Sequence, residues 1–546
     1  MSWDIVCAVL DTVLAGGLIV DGTGARAYRA DIGLDSGQIV ALGELAATEA
    51  RWRVDVTERV VCPGFIDMHA HSDLTLLVQP TGDSKLQQGV TTEVNGNCGF
   101  SPAPLSDASA ATVMRLHGFF GSYVQDLGWQ WRSPAEYIER VESRGLSHNV
   151  VLLVGHATVR IAALGMVQRP PTAAELAHMR ALVSSAMDAG YFGMSSGLVT
   201  PPSVYADTDE LVELARVVAM HGGMYASHIR GEGHSLMRAT AEAIEVGERS
   251  GAPVQISHHK ATFRRYWGRV KEAIQLSERA VERGQVVGFD VYPYTAGSAN
   301  LTQIIPDWAH EGGLGQLLER LRQPESRERI RQDVHEQDRE WDQTFVAWVP
   351  ASADRSIQGQ SIDAIAVNRG QDPIDALFGV LEESDGEAAM VHFAMAEEDV
   401  RFVMRHPLSM FGSDGFGLSP TGVLGEGQPH PRCYGTYPRV LGHYVRDEGV
   451  LSLEHAVHKA SYRVADKLGL ARKGRVQVGA DADLVVFDPL TIADQATYQQ
   501  PHQFPTGIDY VIVGGQIAVD HGTVTGARAG RVLRRGDASS RDHRHP

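Results

Sequence analysis

The middle of the chain alternates short apolar segments with amphipathic helical ones, and this alternation constrains the fold more than any other feature. Residues 173–189, 209–221 and 235–250 each carry the apolar stripe of a helix. Repeated strand–helix units predict an α/β fold in which helices cover a parallel sheet. A (β/α)8 TIM barrel needs eight strands, so we expect one of nine candidate strands to lie outside the barrel wall. These candidates end near Met68, Asn97, Gly155, Ser195, Ser227, Ser257, Tyr292, Phe393 and Ser413.

Short strands separated by tight turns are predicted at both ends of the chain. Residues 30–42 read as two strands that turn at Asp35-Ser36-Gly37, and residues 510–519 read as two strands that turn at Gly514-Gly515. Two β-rich ends that enclose a long α/β middle predict one small β-sandwich domain, assembled from both termini.

This pattern divides the chain into predicted domains. Residues 1–62 and 473–533 form the small β domain, and residues 63–472 form the barrel. A charged, Trp-containing stretch predicts an insertion near residues 297–348, which we interpret as a lid that excludes water during a reaction. Unchanged protease sensitivity of this segment on adding product would argue against the lid. The polar tail, residues 534–546, is predicted to be disordered.

Charge and cysteine content exclude several classes of protein. The formal charge of −18 would repel nucleic acid and anionic membranes, so neither is a predicted partner, whereas a small-molecule substrate is compatible with it. The apolar stretch 5–20 follows no basic residue, which favours a strand over a signal peptide, and no segment is long enough for a membrane helix. The sparse cysteines fit a reducing compartment, which predicts a cytoplasmic protein. They are Cys7, Cys62, Cys98 and Cys433.

Histidines and an aspartate follow several of the predicted barrel strands. His69 and His71 directly follow the first strand, and because residues i and i+2 of a strand point to the same side, both imidazoles can reach one ion. His228, His258 and Asp414 end three other strands. Barrel enzymes place their catalytic groups at the carboxyl ends of the strands. Imidazole and carboxylate are ligands that zinc accepts, so the pattern predicts a zinc site there.

Each of these signals has a simpler reading by itself. An isolated His-x-His pair more often belongs to the core or surface than to a metal, and an aspartate in Gly412-Ser413-Asp414-Gly415 is most often a turn residue. Independent structural roles would not place four histidines and an aspartate at successive strand ends, so the joint pattern favours the metal.

Several motifs resemble those of one family, the N-acyl-D-amino-acid deacylases (D-aminoacylases) of the amidohydrolase superfamily. The resemblance covers nearly the whole chain except its first ten residues and the polar tail. The matching segments are residues 63–71 (PGFIDMHAH), 96–101 (GNCGFS), 227–232 (SHIRGE), 257–260 (SHHK), 430–436 (HPRCYGT) and 480–485 (ADADLV).

The resemblance implies a set of metal ligands that includes Cys98. In this family a cysteine after the second strand replaces the carboxylated lysine that bridges two metals in hydantoinase-like relatives. A buried structural cysteine would be the ordinary reading of Cys98 without its sequence context. By the resemblance the principal zinc is held by Cys98, His228 and His258, and a second metal position faces His69, His71 and Asp414.

The resemblance also implies a reaction, the hydrolysis of an N-acyl-D-amino acid by metal-activated water. Asp414 would take a proton from the water and pass it to the leaving nitrogen. Lys260 resembles the family's anchor for the substrate carboxylate, and Tyr292 could add a hydroxyl donor, although aromatic packing explains Tyr292 equally well. Arg432 would border the substrate, although a surface ion pair explains a lone arginine equally well. Thr200 stands where characterised deacylases carry a tyrosine, which puts the family's side-chain preference in doubt.

Two rival functions remain open from the sequence. One is a cyclic-amide or dipeptide hydrolase of the same superfamily, against which Cys98 argues. The other is a barrel scaffold without catalysis, against which the intact ligand set with Asp414 argues. The sequence also leaves open whether the chain forms a homo-oligomer.

Overall fold

The computed structural model describes residues 9–537 of the chain. Within this range, the first five strands belong to the small β domain. β1 pairs antiparallel with β2, and β2 pairs antiparallel with β3. Ser36 and Gly37 have φ angles of 49° and 78°, the left-handed conformation that tight hairpin turns require, which confirms the turn predicted there. The strands are β1 (Leu10–Ile19), β2 (Tyr28–Asp35), β3 (Gln38–Gly43), β4 (Ala50–Asp55) and β5 (Val60–Pro63).

Eight parallel strands form the predicted barrel. They are β6 (Phe65–Asp67), β7 (Val90–Asn95), β8 (Asn149–Gly155), β9 (Gly193–Gly197), β10 (Met224–His228), β11 (Val254–Ile256), β12 (Val287–Val291) and β16 (Ser409–Phe411). Their order is β16-β12-β11-β10-β9-β8-β7-β6. The ring closes where the Met68 N–H donates to the Phe411 carbonyl (3.3 Å) and Ala70 pairs with Gly415.

Helices cover the outside of this barrel. The three that the sequence predicts are confirmed to within one or two residues as α6, α7 and α8. Thr172 begins α6 because its hydroxyl accepts the Glu175 N–H while the Glu175 carboxylate accepts the Thr172 N–H. The helices are α1 (Thr75–Val78), α2 (Asp83–Leu86), α3 (Ala110–Leu116), α4 (Pro134–Glu142), α5 (His156–Leu164), α6 (Ala173–Asp188), α7 (Thr208–Met220), α8 (Leu236–Ser250) and α9 (Val270–Glu282).

The chain between β12 and β16 forms a separate layer with its own core. A three-stranded antiparallel sheet packs with helices around buried side chains such as Leu317, Ile365 and Phe378. The ninth candidate strand, near Phe393, is the central strand of this sheet and therefore lies outside the barrel wall, as expected. The elements are β13 (Ala296–Asn300), α10 (Leu314–Arg322), α11 (Pro324–His335), β14 (Thr344–Trp348), α12 (Ile362–Arg369), α13 (Pro373–Glu383) and β15 (Ala389–Phe393).

The last strands return to the small β domain and join both chain ends in one sheet. β17 pairs antiparallel with β5, which completes nine strands, and β18 and β19 turn at Gly514 and Gly515 as predicted. Val61 packs on one face of the sheet and Cys62 on the other, which faces the barrel. The remaining elements are α14 (Glu397–Arg405), α15 (Arg432–Arg439), α16 (Leu453–Ala460), α17 (Tyr462–Leu468), β17 (Leu484–Phe487), β18 (Ile508–Val513), β19 (Gln516–Asp520) and β20 (Thr523–Val524).

Parts of the sequence predictions fall outside the described residues. Cys7 and residues 538–546 of the predicted tail belong to that part of the chain. Within the tail, Arg534 pairs with Glu142 (2.8 Å) and the Arg535 side chain donates to the His221 carbonyl (3.0 Å). Among residues 9–537, no helix combines the length and apolar character that a membrane crossing requires.

Candidate metal centre

The predicted ligands meet at the carboxyl end of the barrel. His69 and His71 follow β6, and Cys98 follows β7 by three residues. His228 is the last residue of β10, and His258 follows β11. Asp414 follows β16, the strand that closes the ring next to β6. The chemistry-bearing side chains therefore converge because parallel strands end at the same rim of the barrel.

Two groups of ligand atoms share the thiol of Cys98. Within each group every ligand atom lies within 4.8 Å of the others, which is close enough for one metal ion per group. Cys98 Sγ lies 3.3 Å from His69 Nε2 and 3.5 Å from His258 Nε2, and Asp414 Oδ1 lies 3.0 Å from His71 Nε2. The first group is His69, His71, Cys98 and Asp414, and the second is Cys98, His228 and His258.

Three of these residues adopt an unusual backbone conformation. Cys98, His258 and Asp414 have φ angles of 52°, 34° and 51°, in the left-handed region that non-glycine residues rarely enter. Strained residues of this kind persist where the surrounding structure fixes them, and they cluster at functional sites. Just before Cys98 the chain turns at Gly96 (φ 80°), where a Cβ atom would lie 1.9 Å from the Leu153 carbonyl oxygen. The turn therefore requires glycine.

Two carboxylates, the buried Asp290 and the largely buried Glu232, contact the Nδ1 atoms of the histidines. Asp290, in β12, lies 3.1 Å from His69 Nδ1 and also accepts the His258 backbone N–H at 2.8 Å. Glu232 Oε1 lies 3.0 Å from His258 Nδ1. Metal-binding histidines typically donate their second N–H to such a carboxylate, which leaves Nε2 free for the ion. The thiol, the imidazoles and the paired carboxylates therefore fit a transition-metal ion.

The Asp290 contact yields a testable consequence. We expect Asp290→Asn to weaken zinc binding about 10- to 100-fold, because the amide carries no charge to hold the His69 ring. The measurement is competition with a metal chelator. Asp31→Asn is a matched control, since Asp31 accepts backbone N–H bonds from Gly16 and Leu45 in the small β domain. Equal zinc affinity of the Asp290 variant and the wild type would contradict the role of this carboxylate.

The electrostatics of the cluster favour its ionised forms. Burial opposes ionisation of Cys98, but the charges of His69 and His258 outweigh it and hold the pKa of the thiol well below its usual range. Burial likewise opposes ionisation of Asp414, while Arg432 and His69 hold the pKa of this carboxyl well below its usual range. The cluster therefore offers a thiolate and a carboxylate, the two anions that a divalent cation would neutralise.

The predicted substrate-binding residues line the same cavity. Lys260 Nζ lies 2.5 Å from Glu232 Oε1 and 2.8 Å from His258 Nδ1. Arg432 lies 2.9 Å from Asp414 Oδ2, and its guanidinium carbon stands 4.8 Å from the centre of the Tyr292 ring. The lone-arginine reading of a surface ion pair does not hold for Arg432, because its side chain is buried and its partner is a candidate ligand.

A buried ion pair supports the strand end that carries Asp414. Lys85 Nζ donates to Asp67 (2.8 Å), Ser413 Oγ (2.8 Å) and the Gly415 carbonyl (3.1 Å). Asp67 in turn accepts the Ser413 N–H at 2.7 Å. Ser413 and Gly415, on either side of Asp414, are therefore fixed by buried hydrogen bonds to Lys85 and Asp67. These bonds explain how the strained backbone of Asp414 is maintained.

The cavity above the cluster measures about 820 Å³ and has two different walls. Phe120 and Phe416 form an apolar wall, with ring centres 6.1 and 6.0 Å from that of His71. The other wall is polar and includes Thr200, whose hydroxyl accepts a hydrogen bond from Gln303 (3.1 Å). A cavity of this size is in the usual range for small-molecule sites.

Some functional neighbours could not be recognised from the sequence. The sequence analysis assigned no role to Asp290 or Glu232. An acidic residue between two apolar ones in Phe289-Asp290-Val291, all three buried, is the sequence pattern that indicates a paired carboxylate at Asp290. Cys62 and Cys433 are free, buried and outside both ligand groups.

Fold and cluster together define a class, the metal-dependent hydrolases built on a (β/α)8 barrel with a small β domain. A model of the amidohydrolase family matches residues 53–519, and the chain belongs to this family. The protein is accordingly a metal-dependent amide hydrolase.

Characterised relatives match over almost the full length. The chain is 38% identical to D-aminoacylase of Alcaligenes xylosoxydans xylosoxydans over 96% of this chain and 98% of the relative. It is 36% identical to N-acyl-D-glutamate deacylase of the same organism over 97% of both chains.

Solved structures agree with this grouping. D-aminoacylase, described as having a binuclear metal centre, superposes with a TM-score of 0.82 at 36% identity, over 96% of this chain and 100% of that one. N-acyl-D-glutamate deacylase from Bordetella bronchiseptica was solved in complex with zinc and a phosphonate mimic of the tetrahedral intermediate. It superposes with a TM-score of 0.81 at 34% identity, over 96% of this chain and 100% of that one.

Proposed function

We propose that this enzyme hydrolyses the amide bond of N-acyl-D-amino acids, releasing a carboxylate and a free D-amino acid. The observation that carries the proposal is the cluster of histidines and Asp414 around a shared Cys98, inside a cavity that also contains Lys260 and Arg432. The relatives of 34–38% identity are D-aminoacylase and the N-acyl-D-glutamate and N-acyl-D-aspartate deacylases.

The metal in this proposal is zinc, one ion tightly bound and a second position available. Cys98, His228 and His258 would hold the principal ion, and His69, His71 and Asp414 would face the second. When bound, zinc polarises a carbonyl and lowers the pKa of water to about 7. A thiolate is a ligand that suits zinc and distinguishes this donor set from those of Mg²⁺ or Ca²⁺ sites.

Asp414 performs the proton transfers in this proposal. Its carboxylate is ionised, because Arg432 and His69 hold its pKa well below the usual range against the effect of burial. An ionised carboxylate can accept the proton of the attacking water and then donate it to the leaving nitrogen. Arg432 fixes one carboxylate oxygen at 2.9 Å, so the other, Oδ1, remains on the side of His71.

Lys260, with Tyr292 and Arg432, would bind the α-carboxylate of the substrate. We expect Lys260→Met to lower kcat/KM about 10- to 100-fold, mainly through KM, since a charge-assisted hydrogen bond contributes about 1.5–3 kcal/mol. The control is an N-acyl-D-amino acid amide, which lacks the carboxylate and should be hydrolysed equally well by variant and wild type. Zinc content is measured in parallel because Lys260 also contacts His258. Equal losses on acid and amide would contradict the anchoring role.

An enantiomer-paired substrate screen on zinc-loaded protein tests the proposed function. N-acetyl-D-amino acids, their L-enantiomers and hydantoins are compared, with Asp414→Ala as the inactive control. Activity confined to the D-series is expected. Activity only on hydantoins would favour a cyclic-amide hydrolase, and a protein that neither holds zinc nor gains activity with it would favour the scaffold.

The insertion and the cellular setting complete the proposal. Residues near 297–348 would act as a lid, and supporting this, Ser298, Gln303 and Trp348 line the cavity. Product should then reduce proteolytic cleavage within this segment, and unchanged cleavage would contradict the lid.

A cytoplasmic location is part of the proposal, supported by free thiols at Cys62 and Cys433. Size-exclusion chromatography with light scattering would determine whether the chain forms homo-oligomers.

A further inference from the structure

One positive charge in the cavity differs from the others. Lys260, Arg230 and Arg432 line the cavity, and each is paired with a carboxylate, at 2.5, 2.9 and 2.9 Å respectively. Arg238 also lines it but is exposed to water. Arg339, in the insertion, is neither paired nor well exposed: among residues 9–537 no carboxylate lies within ion-pair distance of its guanidinium.

The hydrogen-bond partner of Arg339 and the ring beside its guanidinium are both neutral. Its Nε donates to Gln337 Oε1 at 2.7 Å, and its guanidinium carbon lies 5.5 Å from the centre of the Phe263 ring. His392 lines the same wall, and burial together with the charge of Arg339 lowers the pKa of this imidazole to about 3, so it stays uncharged. The adjacent acidic residue Asp338 pairs instead with Arg265, in the loop after β11, at 2.9 Å.

The guanidinium of Arg339 is partly buried in the cavity and has no carboxylate partner among residues 9–537. Partial burial lowers the pKa of Arg339 to about 10. The group is still fully charged at neutral pH. A cavity residue that retains such a charge is suited to an anion that enters the cavity with the ligand.

The position of Arg339 fits the outer end of a substrate. Phe263, on which its guanidinium lies, is three residues beyond Lys260 in the loop after β11. The Phe263 N–H donates to the Ala394 carbonyl at 2.8 Å, which joins this loop to the end of β15. A substrate held by its α-carboxylate near Lys260 would place its remaining groups in the same cavity that Phe263 and Arg339 line.

We propose that Arg339 binds a second carboxylate of the substrate, carried either by the amino-acid side chain or by the far end of the acyl group. This inference rests on the proposed function, because it concerns the substrate of the same site. It names a specificity-determining residue: the guanidinium supplies two further N–H donors in the planar arrangement that matches a carboxylate.

Two pairs of substrates distinguish the two sources of the carboxylate. N-acetyl-D-glutamate is compared with N-acetyl-D-glutamine for the side chain, and N-succinyl-D-leucine with N-succinamoyl-D-leucine for the acyl end. In the zinc-loaded wild type we expect the anionic member of one pair to have a kcat/KM about 10- to 100-fold higher, mainly through KM. Arg339→Gln should abolish this preference and change hydrolysis of the neutral members less than about twofold. Arg238→Gln, which alters the exposed arginine of the same cavity, should retain the preference.

The outcomes separate this inference from the proposed function. A wild type without preference in either pair, or a preference that survives Arg339→Gln, would overturn the role of Arg339 while leaving the deacylase function in place. If the wild type hydrolyses none of the N-acetyl-D-amino acids of the substrate screen, the proposed function fails, and calorimetric titration of the four compounds into the zinc-loaded protein then tests Arg339 directly. Tighter binding of an anionic member that Arg339→Gln removes would support the anion site, and equal binding would refute it.

Discussion

An Asp414→Asn variant is expected to hydrolyse N-acyl-D-amino acids with a kcat/KM about 10³-fold below that of the wild type. The asparagine amide cannot accept a proton from water, and general acid–base groups of this kind contribute about 10²- to 10⁴-fold to the rate. The loss should fall on kcat, with KM changed less than about threefold, because the α-carboxylate is bound elsewhere, at Lys260.

Asp414 also belongs to one ligand group, so metal binding has to be measured beside the kinetics. The variant should retain one zinc per chain, since Cys98, His228 and His258 do not depend on it. Its melting temperature should fall, because Arg432 loses the partner of a buried ion pair, a change that costs about 3–5 kcal/mol. Asp31→Asn serves as the matched control and should keep full activity. A variant that holds zinc and keeps more than about a tenth of the wild-type kcat would contradict the assignment of the base.

The barrel and the gathering of its ligands were accessible from the sequence because both follow from local patterns. Short buried strands alternating with helices specify a parallel barrel, and the ends of such strands share one rim. His69 and Asp414 are 345 positions apart in the sequence, yet each follows a strand, and β6 and β16 close the ring side by side. The topology therefore placed the two residues together without any knowledge of their contacts.

The partners of those residues were not accessible, because they depend on packing between distant segments. Asp290 contacts His69 from a strand 221 positions away, and only the side-chain geometry identifies it as the group that orients the ring. Arg339 is distinguished by the absence of a countercharge among the described residues, which no sequence pattern reports. The left-handed backbone of Cys98 and Asp414 likewise arises from tertiary hydrogen bonds that override local preference.

Replacing Cys98 by alanine is expected to have the second large effect, the loss of tightly bound zinc. Cys98 is the only residue common to both ligand groups found in the described barrel rim, so its removal weakens both at once. We expect the purified variant to hold less than about a tenth of the zinc of the wild type and to lose about 10³-fold in kcat/KM, because the metal supplies both the activated water and the carbonyl polarisation.

Thermal unfolding with and without a chelator provides a second readout that does not depend on activity. A ligand present at 1,000 times its Kd stabilises the folded state by about 4 kcal/mol, so chelation should lower the melting temperature of the zinc-loaded wild type. The Cys98→Ala variant has little zinc to lose, and its melting temperature should hardly change on chelation.

Two other cysteines offer matched controls for the loss of a buried sulfur. Cys62 lies in β5, and Cys433 Sγ accepts the Phe416 N–H at 3.4 Å. Neither cysteine belongs to a ligand group. Their alanine variants should lose some stability through the cavity that forms, yet bind zinc as the wild type does. If Cys98→Ala retained stoichiometric zinc and the chelator response of the wild type, the thiolate would not be a ligand. The division of the cluster into two metal positions around Cys98 would then have to be abandoned, because no other residue belongs to both ligand groups of the described barrel rim.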